Sequence, residues 1–225
     1  MLSAIIVAAG SSQRMGFDKL FSVIAGKPVV AHTIDAFEHT ISVDEIIIVT
    51  RKDRHTEFEH LVREQRWKKI GQILTGGEHR QDSVRAGLQG ISKGASFVAV
   101  HDAARPLVTP EQIERVYEVA RQHGAASLAE PVTDTLKRAD RDFVVTESAD
   151  RHHLYGMQTP QIFAREMLDN AYRLVTEKEI AITDEVSAVE QLGQKIVLVP
   201  NERANFKITY PRDLPLAEFV LRQTN

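Results

Sequence analysis

The chain has 225 residues, 28 Lys and Arg against 31 Asp and Glu for a formal net charge of −3, and no cysteine. That balance excludes the broad basic surface of a nucleic-acid binder, so any site for polyanions has to be local. The lack of cysteine excludes disulfides, thiolate catalysis, Cys-ligated zinc and iron–sulfur clusters, and no stretch approaches the ~18 apolar residues of a membrane span.

Met1-Leu2-Ser3 runs directly into Ala4-Ile5-Ile6-Val7-Ala8-Ala9 with no basic lead, which predicts a chain without a secretion signal and a cytoplasmic protein. Ile5-Ile6-Val7 reads as a first strand, Pro28 to His39 as a helix, Ile46-Ile47-Ile48-Val49 as a second strand, and Thr56 to Gln65 as a second helix. Ile73-Leu74, the helical pattern from Arg80 to Gly90, and Phe97-Val98-Ala99-Val100 continue the alternation. Thr109 to Gly124 reads as a helix with Thr109 as N-cap, Pro110 in the first turn and Gln112 closing a capping box. Ile196-Val197-Leu198-Val199 is a late strand. Runs this continuously apolar belong to strands buried on both faces, and strands alternating with helices predict an α/β fold with a mostly parallel sheet and helices on both sides. Without repeats or a Gly/Ser/Pro-rich linker, residues 1–225 read as a single domain.

One stretch breaks the pattern. From Pro131 to Tyr155 the sequence turns polar, with β-favouring pieces at Thr133 to Leu136 and Phe143 to Thr146 around Ala139-Asp140-Arg141-Asp142. It reads as a protruding β-hairpin arm, about 131–155, with no apolar face of its own. An isolated hairpin is marginal in water, so the arm is expected to pack on something else, with a partner subunit as the natural candidate.

In a parallel sheet, ligands collect at the carboxyl ends of the strands. After the first strand comes Ala8-Ala9-Gly10-Ser11-Ser12-Gln13-Arg14-Met15-Gly16-Phe17-Asp18-Lys19. Gly10 and the small hydroxyl residues after it allow backbone N–H groups to cradle a phosphate, and Arg14 and Lys19 add cations. The spacing is neither G-x-G-x-x-G nor a Walker loop, so dinucleotide dehydrogenases and P-loop NTPases lose their motif. A plain strand-to-helix turn with solvated charges is the alternative reading of this segment. After the fourth strand comes His101-Asp102-Ala103-Ala104-Arg105-Pro106. Asp102 is placed to hold Mg²⁺ or another divalent cation against nucleotide phosphates, or else to serve as a turn residue. Arg105 is either a surface ion-pair partner or a clamp for a second anion, and His101 is read as a structural hydrogen-bonder. The nine histidines lack the spacing of a zinc pair, no G-x-S-x-G elbow is present, and Trp67 reads as packing.

Taken in order, Ala8-Ala9-Gly10 with Arg14 and Lys19, Gly76-Gly77 leading to Ser83-Val84, His101 to Pro106, Asp134-Thr135 with Lys137-Arg138, Asp150-Arg151, Thr159-Pro160-Gln161, Ile182-Thr183-Asp184-Glu185 and Lys207 resemble the 2-C-methyl-D-erythritol 4-phosphate cytidylyltransferases of the non-mevalonate isoprenoid pathway. The resemblance spans nearly the whole chain. It implies a Rossmann-like nucleotidyltransferase sheet and transfer of a cytidylyl group from CTP to 2-C-methyl-D-erythritol 4-phosphate with release of pyrophosphate. It implies that Ala8, Ala9, Gly10 and Ser12 line the triphosphate turn, that Gly77 and Ser83 hold the cytosine and ribose end, and that Asp102 carries Mg²⁺. It further implies that Arg14, Lys19 and Lys207 neutralise the α-phosphate and leaving group, and that Arg105, Thr135, Arg151, Thr159 and Thr183 address the acceptor. Thr135 and Arg151 fall on the arm, which in that family is exchanged between the subunits of a homodimer.

Two features depart from the family. Asp18-Lys19-Leu20 stands where Pro-Lys-Gln is common, and Ser12 stands where a second glycine is usual; this loop is closer to that of molybdenum-cofactor nucleotidyltransferases. Ribitol 5-phosphate cytidylyltransferases are a nearer alternative, whose central motif usually has Val at the place of Ala104. A non-catalytic nucleotide sensor on the same fold is a different class of reading, and it gives no reason to keep Lys19, Asp102 and Lys207 together. The acceptor's phosphomonoester has a second pKa near ~6, so it is already ionised at pH 7 and needs no general base.

Overall fold

The computed structural model describes residues 1–10 and 15–224. Its elements in chain order begin with β1 (Leu2–Val7), the short hairpin β2 (Val23–Ile24) and β3 (Lys27–Pro28), α1 (Val29–His39), β4 (Val43–Thr50) and α2 (His55–Gln65). They continue with β5 (Ile70–Thr75), α3 (Arg80–Gly90), β6 (Phe97–Asp102), α4 (Pro110–His123), β7 (Ala125–Pro131), β8 (Leu136–Ala139) and β9 (Val145–Ala149). The last are β10 (Tyr155–Ala164), α5 (Arg165–Glu177), α6 (Glu185–Glu190), β11 (Val197–Pro200) and α7 (Asp213–Thr224). Among the described residues no helix is long and apolar enough to cross a membrane.

Seven strands form one sheet in the order β11-β7-β10-β6-β1-β4-β5. The pairs β1/β4, β1/β6, β4/β5 and β7/β11 are parallel, while β10 runs antiparallel to both β6 and β7. The expected α/β class and mostly parallel sheet are therefore observed. Successive side chains of a strand point to opposite faces, and here that alternation divides the core in two. Leu2, Ala4 and Ile6 of β1, with Ile46 and Ile48 of β4, pack against α1, α2 and α4. Ile5, Ile47, Val49, Val98 and Val100 pack on the opposite face against α3, α5 and α6. A strand buried on both faces favours apolar side chains at successive positions, which is why Ala4–Val7, Ile46–Val49 and Phe97–Val100 are apolar runs.

Helix α4 has the ends expected of it: the Thr109 and Gln112 side chains reciprocally accept each other's backbone N–H, Pro110 occupies the first turn, and Gly124 closes the helix at φ 84°. A left-handed C-terminal residue is favourable for glycine because it has no Cβ.

Two strands carry little sequence signal. β7 begins Ala125-Ala126-Ser127-Leu128-Ala129, without a β-branched residue, and β10 contains Pro160 at a point where its pairing with β7 skips from Met157 to Gln161. Proline donates no ladder hydrogen bond, so a proline in a central strand requires such a break.

The arm is a separate two-stranded sheet, β8 against β9, with Lys137 opposite Ser148 and Arg138 opposite Glu147. Its strands start three and two residues beyond the pieces the sequence suggested. Asp140 accounts for the shift: its carboxylate accepts the N–H groups of Asp142 and Val144, closing a turn over 140–144 and leaving Phe143 at φ 62°. Phe143 at the tip is 91% exposed, with Val144 and Val145 beside it.

Candidate active site

Parallel register brings Val7, Val49 and Asp102 to one level across β1, β4 and β6, and Thr50 to the level of Thr75 in β5. The loops that leave these strand ends surround a cavity of about 440 Å³ lined by Ala8, Ala9, Gly10, Lys19, Arg51, Gly77, Arg80, Ser83, Asp102 and Lys207, among others. Eight of these, all but Arg51 and Arg80, are residues the sequence assigned to the nucleotide, the metal or catalysis. Gly76 lets the loop after β5 close down on them, since a Cβ there would sit 2.5 Å from Ser83 Oγ and 2.7 Å from the Ala9 Cβ. Ser12 and Arg14 lie outside the described residues.

Asp102 ends β6 as the hub of the site. Its carboxylate side chain is 9% exposed and faces three cations: Arg80 Nε at 3.2 Å, Lys207 Nζ at 3.0 Å and Arg105 Nε at 3.6 Å. Burial alone opposes its charge, but Arg80, Lys207 and Arg105 outweigh that and hold its pKa far below the usual carboxylate range. Its backbone N–H donates to Thr159 Oγ1 at 3.1 Å, and Thr159 lies 3.0 Å from His101 Nδ1. His101 is fully buried, and burial pushes its pKa down to about 3 despite the neighbouring Asp102. The ring is neutral at pH 7; Nε2 faces the Arg105 carbonyl, which can only accept, so Nε2 carries the proton and Nδ1 accepts a hydrogen bond from the Thr159 hydroxyl. His101 is structural, as the sequence reading had it.

Lys207 comes from the irregular segment after β11. Asn201 and Asn205 fasten that segment by donating to Gln158 Oε1 at 2.9 and 3.2 Å, and Ile208 N–H bonds the Ala104 carbonyl at 2.8 Å. Lys19 reaches the same place from the other side, donating to the Ile208 carbonyl at 2.6 Å. Asp18, the departure beside it, accepts the Leu20 N–H at 3.0 Å and pairs with Arg54 at 3.0 Å. It caps the short turn Lys19–Phe21 and ties it to the loop after β4.

The acceptor residues are dispersed. Arg105 does not line the cavity; its guanidinium is packed behind Asp102 and donates to the Asn205 carbonyl at 2.7 Å. Thr159 is 3% exposed, and its hydroxyl accepts the Asp102 N–H and lies 3.0 Å from His101 Nδ1. Thr183 is exposed before α6 with its hydroxyl 3.2 Å from that of Ser187. Thr135 and Arg151 lie on the exposed arm, where Arg151 donates to the Thr133 carbonyl.

Sequence reasoning missed two cations of the wall. Arg51 follows β4 and is held by Asp53 at 3.0 and 3.1 Å; the rule of looking just past each apolar run would have found it. Arg80, the first residue of α3, forms a two-pronged ion pair with Glu185 at 2.7 and 2.9 Å, 105 positions away.

A half-open sheet whose first loop presents backbone and lysine, and whose central strand ends in a carboxylate among cations, defines an α/β enzyme built to grip a nucleotide's phosphates. The matching family model, 2-C-methyl-D-erythritol 4-phosphate cytidylyltransferase, covers residues 2–223. The chain belongs to that family. Proteins of that name from Caldanaerobacter subterraneus subsp. tengcongensis and Pelotomaculum thermopropionicum are 42% and 40% identical to it, the first over 99% of both chains and the second over 98% of this chain and 94% of its own. Among solved structures, the 4-diphosphocytidyl-2C-methyl-D-erythritol synthase of Anaerococcus prevotii superposes with a TM-score of 0.87 at 29% identity, covering 99% of this chain and 96% of that one. The 2-C-methyl-D-erythritol 4-phosphate cytidylyltransferase of Thermus thermophilus does so with a TM-score of 0.79 at 29% identity, covering 97% and 98%. These relatives carry the acceptor read first, and not ribitol 5-phosphate or the molybdenum cofactor.

Proposed function

We propose that this chain transfers CMP from CTP to 2-C-methyl-D-erythritol 4-phosphate, giving 4-diphosphocytidyl-2-C-methyl-D-erythritol and pyrophosphate. A phosphate oxygen of the acceptor forms a bond to the α-phosphorus while the bond from that phosphorus to the bridging oxygen of the leaving pyrophosphate breaks. No proton has to be removed from the nucleophile. The protein's task is to bring two polyanions together and to stabilise the charge that builds on the α-phosphate and on pyrophosphate. The observation that carries the reading is the cavity itself: the backbone of Ala8–Gly10 on one wall, and Lys19, Arg51, Arg80 and Lys207 around it, in a chain of net charge −3. Lys19 and Lys207 face the phosphates, and Gly77 and Ser83 hold the nucleoside end.

Asp102 would hold Mg²⁺ or another divalent cation, which when bound neutralises the triphosphate and polarises the reacting phosphorus. The donor set fits such an ion. An ionised carboxylate has about four acceptor positions; Arg80 and Lys207 take two of them here at 3.2 and 3.0 Å, with Arg105 Nε standing off at 3.6 Å. Mg²⁺ takes one or two carboxylates and fills the rest of its shell with phosphate and water. Among the described residues no group of three or more His, Cys, Asp and Glu could cage a metal, in keeping with an ion that arrives with its nucleotide.

The working unit is a homodimer with exchanged arms. What supports this is that β8, β9 and their turn are exposed along nearly their whole length, while Thr135 and Arg151, which flank these strands, do not line the cavity of their own chain. Incubation with CTP, Mg²⁺ and a panel of polyol phosphates, scored for pyrophosphate, tests the function: release with 2-C-methyl-D-erythritol 4-phosphate and not with ribitol 5-phosphate is expected. Preference for ribitol 5-phosphate would overturn the acceptor, and no release with any acceptor would overturn the transferase.

A further inference from the structure

Arg80 sits at the first position of α3, where unpaired N–H groups leave partial positive charge and a cation is disfavoured. Two carboxylates hold it there. Glu185 takes both terminal nitrogens at 2.7 and 2.9 Å, and Asp102 takes Nε at 3.2 Å. Glu185 is 0% exposed and receives a further hydrogen bond from the Tyr172 hydroxyl of α5 at 2.9 Å. Its own N–H donates to Gln161 Oε1 of β10 at 3.1 Å, and the Gln161 amide donates to Asp184 Oδ2 at 2.8 Å. Elements α3, α5, α6 and β10 thus converge on one buried charge.

A buried ion pair is weak evidence for stability, since apolar residues of equal volume often serve as well, so its geometry calls for another reason. With both terminal nitrogens fixed by Glu185, the guanidinium presents Nε to Asp102 Oδ1, and Lys207 and Arg105 are left to Oδ2. The plane of the Asp102 carboxylate is set from the Arg80 side, and with it the place of the Lys207 ammonium on the cavity wall. Burial works against the Arg80 charge, but Glu185 and then Asp102 outweigh it and raise its pKa above the ordinary arginine value, so the fork stays charged throughout.

We infer that Glu185 is a positioning residue for the transfer, acting through Arg80 on Asp102 and Lys207, with Tyr172 bracing it. The inference rests on the roles given above to Asp102 and Lys207. Glu185→Gln keeps the shape and the Tyr172 partner and removes the charge. It is expected to lower kcat by roughly 10- to 100-fold, as loss of preorganisation does, with the KM values for CTP and acceptor within about threefold of wild type. Glu185→Asp, which retains the charge, should recover part of that loss, and Tyr172→Phe should lower kcat a few-fold. The decisive measurement is a double-mutant cycle. Arg80→Ala should be as slow as Glu185→Gln or slower, and the double variant no slower than Arg80→Ala alone.

A folded Glu185→Gln protein with wild-type kcat would overturn the inference, and so would multiplicative losses in the double variant, because Glu185 would then act by a path that does not pass through Arg80. If Glu185→Gln does not fold, the same cycle with Tyr172→Phe decides: its loss must vanish in the Arg80→Ala background. Wild-type enzyme assayed in parallel separates the two readings, since absence of pyrophosphate release there condemns the transferase and not the brace.

Discussion

Asp102 and Arg151 are both assigned to one reaction, yet they sit in opposite kinds of surroundings. Around Asp102 each charge is met by another: three cations on one carboxylate, Arg80 in turn on Glu185, Glu185 on Tyr172. Around Arg151 there is open solvent; the arm's Arg138–Glu147 pair has side chains 75% and 65% exposed, the kind of ion pair worth about 0–1 kcal/mol. The contrast separates two tasks. Stabilising charge in a transition state needs dipoles and cations that do not reorganise, so that machinery is buried and braced. On the proposed reading, recognising the acceptor falls to groups that one chain does not hold in place and that a second chain would supply.

The comparison is tested hardest at the braced end. Asp102→Asn and removal of divalent ions by EDTA should each nearly abolish turnover, and Lys207→Ala and Lys19→Ala should lower kcat by ~10²-fold or more with much smaller changes in CTP affinity. Retention of most activity in folded Asp102→Asn would remove Asp102 from the centre of the site. A loss of CTP affinity with kcat unchanged would make the lysines ground-state binders.

The next test joins the two regions. If each site takes Lys207 from one chain and Arg151 from its partner's arm, Lys207→Ala and Arg151→Ala homodimers should both be nearly inactive. In a mixed dimer one site carries both lesions and the other carries none, because a two-fold interface repeats each contact once per site. Random pairing makes about half the dimers mixed, so roughly a quarter of wild-type activity should return on co-refolding. If mixed dimers are demonstrated by mass spectrometry and activity stays absent, Arg151 serves its own chain.

The sequence was most legible where one physical cause acted alone. β1, β4 and β6 are buried on both faces, so their runs of Ile and Val announce them, and Gly10 and Asp102 follow because ligands gather at such strand ends. β7 and β10 were silent because Ala125–Ala129 are small and Pro160 argues against a central strand. The site's framework shows the same division. Lys19 and Lys207 have charge and a motif to mark them, but Arg80 is meaningful only through Glu185, and Tyr172 of α5, which donates to Glu185, has no local signature at all. Thr159 was legible as part of a motif, but its hydrogen bonds to Asp102 and His101 were not, because spacing cannot tell which way a hydroxyl turns.

A smaller effect probes the buried side through stability. His101 has its pKa pushed down to about 3 from a reference of 6.5, chiefly by burial. The unfolded chain therefore binds a proton that the folded chain refuses, and stability falls as pH drops through 6.5 towards 3. From about pH 7.5 to pH 5 this contribution is roughly 2 kcal/mol. His101→Asn, whose Oδ1 can accept from Thr159 in place of Nδ1, should be less stable at neutral pH for lost packing, yet lose about 2 kcal/mol less over that interval in urea unfolding. Parallel curves for the two proteins would mean that the ring is protonated within the fold.

The smallest effect is expected on the arm. Thr135→Val keeps the side chain's shape and removes its hydroxyl, so only a hydrogen bond is at stake, and a net hydrogen bond contributes about 1 kcal/mol. If Thr135 addresses the acceptor from the partner's arm, the acceptor KM should rise roughly 5- to 10-fold while kcat and the CTP KM stay within twofold. The braced region predicts the opposite split, with kcat falling and both KM values nearly constant, so a pair of KM titrations on Thr135→Val and Lys207→Ala places each residue in its region. The unfolding midpoint of Thr135→Val should match wild type, since the exposed arm contributes no core. A loss in CTP KM instead would assign Thr135 to the nucleotide half, and a loss in kcat alone would show that the arm, too, is held rigidly enough to act on the transition state.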